Sequence, residues 1–378
     1  MDHRGQLVSM FFLLLWAQRV CPVDKAFLHL PSPMPSLLTR IQSEDTLWIP
    51  LAIHVVLPSE DISFPPERIR SQLRALNRDF AQAGIQFYLP KRGPGGLPTC
   101  GVTWHFSPLG DHDWTLQEDT LKRFVRWDPD SFLNVWIVYN MPMQVIGYAR
   151  ALGDSTGLAG VVLKAEIVGE GEEVRPPFNR GRTAVHEMGH VFSLLHPFEG
   201  GCRGGSPETC AIEGDEICDT PPQHQSHFGC PSPPPNTCWE EPMDLPDPIH
   251  NFMGYTDDDC MTHFTPQQIE RMRHFLQSYG SVLISETNRQ ARGWYEPLLP
   301  ECAVVSTLLN VPFRPSLHRH GHEIRIENVD EIRVYDAMGR LLIIRSGSIV
   351  EMIDLPSGLY FIEGYRQSQR WSYKLWWF

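Results

Sequence analysis

Basic residues are scarce in this chain of 378 residues: 32 Lys and Arg stand against 45 Asp and Glu, a formal net charge of −13. That balance excludes the broad positive field with which a protein neutralises nucleic-acid phosphates or adheres to anionic lipid. No nucleic-acid partner is expected, and basic substrates or divalent cations are the more natural ones. Long apolar runs are scarce too. The run from Val8 to Ala17, preceded by Arg4, is too short to span a bilayer and has the layout of a secretory signal peptide. Nothing else approaches the roughly 20 apolar residues of a membrane helix, so no transmembrane segment is expected and the product is read as secreted or held at the cell surface. Internal repeats and low-complexity tracts are absent. The nine cysteines contain no C-x-x-C pair, which argues against zinc-ribbon knuckles; six of them crowd between Cys202 and Cys260 and, in an exported chain, read as disulfides.

What is present divides the chain into a signal peptide over 1–22, a short propeptide or linker over 23–46, a first domain over 47–280, a linker over 281–315 and a small domain over 316–378. Ile49, Leu51, Ile53 and Val55 alternate within Trp48 to Leu57, as expected of a half-buried strand. A helix follows from about Pro66 to Ala83, with Ile69, Leu73, Leu76 and Phe80 on one stripe. Strands are predicted at Ile85 to Leu89, Val102 to Phe106, Leu133 to Tyr139 and Gly160 to Lys164. A second helix is predicted from Arg182 to Leu195 and a third from Thr265 to Leu276, opened by Thr265-Pro266. Glu199 to Asp259 is rich in Gly, Pro and Cys and reads as irregular chain braced by disulfides. Strand, helix, then several strands gives an α/β or α+β layer with one backing helix.

The chemistry lies in His186-Glu187-Met188-Gly189-His190. Two imidazoles four residues apart share one face of a helix, one turn apart, and reach one zinc ion. His196, six residues beyond His190, supplies a third ligand if the chain turns sharply after the helix, which leaves the fourth position of a tetrahedral site open. Glu187 follows the first ligand and points past it, as a general base directed at the water of such a site. A zinc-stabilised binding or adhesion protein without turnover is the alternative, and Glu187 argues against it, since a pure binding module needs no general base beside the metal.

Gly181-Arg182-Thr183-Ala184-Val185 leading into HEMGHVFSLLH, Asn251-Phe252-Met253-Gly254-Tyr255, and Cys260 through Phe264-Thr265 to Arg271-Met272 resemble the metzincin zinc peptidases, specifically the pappalysin and cytophagalysin family. The resemblance implies an α+β catalytic domain over 47–280: a mixed twisted sheet, a backing helix, a zinc-site helix and an irregular disulfide-braced subdomain. It implies zinc held by His186, His190 and His196, a metalloendopeptidase activity on protein or peptide substrates, Met253 as the floor beneath the metal, and Tyr255 as a hydroxyl that stabilises the oxyanion. It also implies a calcium loop at Asp215, Asp219 and Thr220, and Asp259 at the base of a pocket favouring Arg or Lys after the scissile bond. Carried onto this spacing, the family's disulfides are Cys210 with Cys238 and Cys230 with Cys260, with Cys202 and Cys218 as a further pair. Cys100 and Cys302 are left either paired or free, and Cys21, if retained after processing, either caps the zinc or serves nothing. One departure from the pattern is Ser193, where the family carries glycine to turn the chain toward the third ligand.

Short apolar runs at Glu323 to Ile326, Ile332 to Tyr335, Leu341 to Ile344 and Leu359 to Ile362, separated by Gly and Asp turns, predict a small antiparallel β domain. Ile332-Arg333-Val334-Tyr335-Asp336 and Ile353-Asp354-Leu355-Pro356-Ser357-Gly358-Leu359-Tyr360-Phe361 resemble the sorting domain of the type nine secretion system, which implies a β-sandwich serving as an address for export machinery.

Overall fold

The computed structural model describes residues 46–142, 144–240 and 243–296, and then 317–320, 323–326, 330–336, 340–347, 349–351, 355–356, 358–366 and 369–377. The expected signal peptide, Cys21 and Cys302 lie outside the described residues. Contacts divide the chain into one unit ending at Leu308 and another beginning at Leu309.

In the first unit, β1 (Leu47–Leu57) is the centre of the sheet. It runs parallel to β4 (Leu133–Val138) on one side; on the other, its first half pairs with β2 (Ile85–Tyr88) and its second with β3 (Val102–Phe106), both parallel. Beyond β4 comes β6 (Gly160–Lys164), also parallel, and at the edge β5 (Gly147–Arg150) runs antiparallel to β6. The alternation in β1 predicts one wet face, but every residue from Ile49 to Leu57 is buried. Ile49, Leu51, Ile53 and Val55 join the main core, and Val56 joins a second cluster with Trp136, Val138 and Tyr148. His54, the polar residue in the pattern, is satisfied where it lies, with Nδ1 2.8 Å from Thr103 Oγ and Nε2 2.9 Å from Asn134 Oδ1. Burial lowers its pKa to about 4 and keeps the ring neutral.

The second cluster is covered by α2 (Trp114–Phe124), an element the sequence did not declare. Its N-cap Asp113 accepts from Thr115 N. Lys122 interrupts its apolar face, yet is fully buried between the rings of Trp136 and Tyr148, with Nζ 2.8 Å from Glu118 Oε1. The other carboxylate oxygen of Glu118 receives Arg150 Nη2 at 2.8 Å, tying α2 to the edge strand.

The backing helix α1 (Pro66–Asp79) buries Ile69, Ala75 and Leu76, but also Ser71, Gln72 and Asp79. These polar groups hold the segment that leads into the next helix. Gln72 donates to Gly181 O and accepts from Gly169 N, Ser71 Oγ accepts from Glu170 N, and Asp79 accepts from Arg182 Nε.

Helix α3 (Arg182–Val191) ends four residues before the predicted Leu195. Leu194 N donates back to Gly189 O and Ser193 N to His190 O, the pattern of a helix stop built on a left-handed residue. Ser193 is that residue, at φ 72°. A side chain in this conformation costs about 1 kcal/mol, so Ser193→Gly is expected to stabilise the protein by about 1 kcal/mol, a rise of about 2–4 °C in a thermal melt of a domain this size. An unchanged or lower melting temperature would mean that the serine hydroxyl, 3.4 Å from Arg271 Nη2, offsets the strain.

The stretch 199–259 holds no helix or strand among its described residues and is braced by Cys202–Cys238, Cys210–Cys218 and Cys230–Cys260. This corrects the pairings Cys210–Cys238 and Cys202–Cys218. The chain doubles back through Thr209–Glu213 and Gly214, whose φ of 70° suits glycine. That reversal sets the Cα atoms of Cys210 and Cys218 4.9 Å apart, and leaves Cys238 to meet Cys202 at 5.3 Å. Cys100 is also disulfide-bonded.

Helix α4 (Pro266–Tyr279) starts with a complete capping box between Thr265 and Gln268. The stretch expected to be a linker opens instead with α5 (Glu286–Ala291): Asn288 donates to Ser131 O, and the Trp294 ring lies 4.2 Å from that of Trp48. Its two turns are too short to register as a periodic pattern.

In the second unit, β9 (Glu331–Asp336) and β12 (Gly358–Arg366) form the middle of a four-stranded antiparallel sheet with β10 (Leu341–Ser346) and β13 (Gln369–Trp377). A three-stranded sheet joins β7 (Leu317–His320), β8 (Glu323–Ile326) and β11 (Ile349–Glu351). Ile324, Ile326 and Val350 of the smaller sheet share a core cluster with Ile332, Val334, Tyr360 and Ile362 of the larger.

Candidate metal centre and catalytic site

Helix α3 carries His186 and His190, one turn apart and buried, and the turn at Ser193 returns buried His196 to them. The three Nε2 atoms converge: His190 Nε2 is 3.1 Å from that of His186 and 3.1 Å from that of His196. The other ring nitrogens are already engaged. Nδ1 of His186 donates to Phe252 O and Nδ1 of His190 to Leu194 O, each at 2.8 Å, which directs the Nε2 lone pairs inward. The Glu199 carboxylate lies 3.9 Å from His196 Nδ1. Burial pushes the pKa of His190 well below its ordinary value and lowers that of His196, so both rings are neutral, the form that ligates.

Three acceptor nitrogens facing one another at this distance repel unless a cation lies between them. A tetrahedral zinc with Zn–N of about 2.0–2.1 Å separates its ligand nitrogens by about 3.3 Å. The triad therefore fits the ion on distance, burial, protonation and donor chemistry. Among the described residues it is the one such His, Cys, Asp or Glu group of three or more.

Glu187, the next residue on α3, is fully buried. Its carboxylate lies under the edge strand β5 at Gly147, where a Cβ would come within 3.0 Å of Glu187 Oε1. Glycine at 147 is what gives the carboxylate its space, a role that sequence inspection missed because no pattern marks it. Gly189 is a second such position: a Cβ there would collide with Met253 Sδ.

Met253, fully buried, lies in a tight turn in which Gly254 N donates to Asn251 O at 3.0 Å. Asn251 Oδ1 accepts from Met253 N, and its amide exchanges hydrogen bonds with Gln268 of α4. The same turn supplies the carbonyl of Phe252 that fixes His186, so the turn and the first ligand are one hydrogen-bonded unit. Tyr255 is also buried, its ring centroid 5.7 Å from that of His186 and 5.0 Å from that of His196.

Asp258 and Asp259 play different parts. Asp258 is fully buried and accepts from the backbone N–H of Arg180 and Arg182 at the start of α3, a favourable place for a negative charge. Asp259, the residue singled out in the sequence, has an exposed side chain that is ion-paired with Arg180. Asp215, Asp219 and Thr220 lie away from the triad, beside α4, where Gln267 N donates to Asp219 Oδ2 and Arg271 pairs with Glu216. Asp215 Oδ2, Asp219 Oδ1 and Thr220 Oγ are buried, with the Thr220 hydroxyl beside the Asp215 carboxyl, and burial pushes that carboxyl up to about 8. Buried oxygens of that kind are what a hard cation would satisfy.

Comparison with known proteins gives the same picture. The family model for pregnancy-associated plasma protein-A, peptidase M43, matches residues 116–277. An extracellular metalloprotease of Pyricularia oryzae is 35% identical over 248 residues, 64% of this chain and 79% of its own length. One from Verticillium alfalfae is 31% identical over 250 residues, 64% and 79% of the two chains. Among solved structures, mirolysin in complex with a molecule named compound 9 aligns with a TM-score of 0.56 at 27% identity, over 66% of this chain and 98% of that one. Mature mirolysin of Tannerella forsythia in complex with a cleaved peptide aligns at 0.52 and 30% identity, over 64% and 99%.

Proposed function

Since this chain belongs to the M43 family of extracellular metalloproteases, we propose that it is an exported zinc endopeptidase of the metzincin type in which Glu187 is the general base. The observation that carries the reading is the convergence of three buried imidazoles beside a buried carboxylate. Zinc, when bound there, supplies a Lewis acid that polarises the scissile carbonyl and makes a water acidic near neutral pH. Glu187 takes the proton from the attacking water and delivers it to the leaving amine. Tyr255 donates its hydroxyl to the carbonyl oxygen as that oxygen gains charge, and Met253 gives the ligand set an apolar floor. Export is supported by the names of the relatives, by the disulfides, and by the run from Val8 to Ala17; no described helix is long and apolar enough to cross a membrane. The C-terminal unit, as a β-sandwich that addresses the chain to export machinery, rests on sequence resemblance.

A preference for Arg or Lys after the scissile bond rests on Asp259. Because Arg180 is already paired with that carboxylate, a basic substrate side chain competes with a resident cation, and the pairing at an exposed site is worth about 0–1 kcal/mol. The preference is therefore a modest one.

The buried oxygens of Asp215, Asp219 and Thr220 support a structural calcium site. Calcium at about 100 times its Kd is expected to stabilise the fold by about 2.7 kcal/mol, a shift of several degrees that Asp215→Asn removes. An identical melting temperature with calcium and with a calcium chelator would rule the site out.

Cleavage of a quenched peptide library, lost on zinc chelation and regained on zinc addition, tests the enzyme reading. Zinc binding that changes only the melting temperature would identify a binding protein instead.

A further inference from the structure

Phe228 is one of several exposed aromatic residues, with Trp239, Tyr295 and Phe124, and is set apart by where it stands. Its residue is 40% exposed, yet it stands beside the site, with its ring centroid 6.1 Å from that of Tyr255. Tyr255 packs at 4.8 Å against Phe198, which stacks at 4.6 Å on the ring of His196. The three aromatic rings thus run from a zinc ligand out to solvent.

The chain on both sides of Phe228 is fixed. His227 Nε2 meets Asp247 Oδ2 at 2.6 Å, and Asp247, itself buried, also takes the backbone and hydroxyl hydrogens of Thr237. Gly229, at φ 71°, turns the chain and accepts from Asp257 N at 3.0 Å, and Cys230 is joined to Cys260. A surface ring on an unconstrained loop folds down or samples many positions; this one is anchored at residues 227, 229 and 230. Held in water next to reacting groups, it presents a rigid apolar surface that a substrate side chain can desolvate with little loss of conformational entropy.

Building on the endopeptidase reading, we infer that Phe228 is the wall of an apolar subsite flanking the scissile bond, and that the enzyme selects a bulky aliphatic or aromatic substrate side chain there. This recognition is separate from the carboxylate of Asp259, which takes a cation. The ring touches the substrate away from the bond being broken, so its contribution is uniform binding that appears in KM more than in kcat.

The test is a positional scan of peptides with the zinc-loaded full-length protein and its Phe228→Ala and Phe228→Tyr variants. At one position flanking the cleaved bond, wild type is expected to prefer Leu, Phe or Met over Ala; Phe228→Ala lowers kcat/KM for those peptides about tenfold, mainly through KM, and leaves the Ala peptide within about twofold. Phe228→Tyr, which retains the ring, retains the preference. The affinities of the same peptides for the zinc-loaded Glu187→Ala protein, with and without Phe228→Ala, read the subsite without turnover, so a failure of the enzyme reading and a failure of this one are distinguishable. Equal losses for every peptide, or an apolar preference that survives Phe228→Ala in a protein of unchanged melting temperature, would overturn the inference.

Discussion

Replacing Glu187 with alanine is expected to lower kcat/KM for peptide cleavage by about 10²- to 10⁴-fold, the usual contribution of general acid–base catalysis, while zinc content stays at the wild-type level. The carboxylate follows the first ligand on α3 and is not itself one of the three converging nitrogens, so its removal leaves the ligand set intact. It is fully buried beneath Gly147, where a Cβ would come within 3.0 Å of its Oε1. A buried carboxylate is also expensive to desolvate, and the variant is therefore expected to melt at or slightly above the wild-type temperature. That combination separates a catalytic part from a structural one: a structural carboxylate would lose activity and stability together. Activity within tenfold of wild type would contradict the assignment.

Glu118→Ala is expected to destabilise the protein by about 3 kcal/mol, the lower end of what is lost when one partner of a buried ion pair is removed, because the side chain of Glu118 is itself 24% exposed. The variant leaves the fully buried Lys122 without its carboxylate and removes the Glu118 pairing from Arg150 on the edge strand, which keeps Asp119 and Asp154 within 3.6 and 3.7 Å. Burial lowers the Lys122 pKa from 10.5 to about 8, with Glu118 opposing the shift. The folded state thus binds fewer protons than the unfolded chain between pH 8 and 10.5. The penalty of burying the charge stands in full below pH 8 and is shed as the pH rises through that window, so this group's contribution to stability increases with pH. Without Glu118 the ammonium is less favoured still and the window opens at lower pH. Thermal melts at pH 7 read the loss, on the order of 10 °C for a domain of this size. The double variant Glu118→Ala, Lys122→Met is expected to recover much of it, since a well-packed apolar pair replaces an uncompensated charge. A loss below about 1 kcal/mol would mean that Asp154 compensates Lys122.

The three-histidine site was legible in the sequence because its ligands are close along the chain and helical periodicity converts their spacing into geometry. The capping box of Thr265 and Gln268 was half visible, as Thr-Pro before an apolar stripe. Less local facts were not legible. Which cysteines pair depends on how the chain doubles back at Gly214, and six cysteines in one loop leave the connectivity open. The burial of β1 on both faces depends on α2, whose Lys122 conceals its inner face from any count of apolar residues. The separate parts of Asp258 and Asp259 follow from where the N-terminus of α3 comes to rest, about eighty residues earlier in the chain. Gly147 and Gly189 act through the side chain they lack; only the position of Glu187 and Met253 gives them meaning. Phe228 lies in a segment without periodicity, and its proximity to Tyr255 comes from stitches between distant stretches of chain.

One metal ion at the histidine triad is expected to switch on peptide hydrolysis. Titrating the metal-free protein with zinc while following cleavage of a quenched peptide tests it most directly. Turnover is expected to rise linearly and stop at one zinc per chain, and Glu187→Ala to bind the same single zinc without turnover. Zinc binding at that stoichiometry with no cleavage by wild type, or cleavage that persists in the metal-free protein, would contradict it.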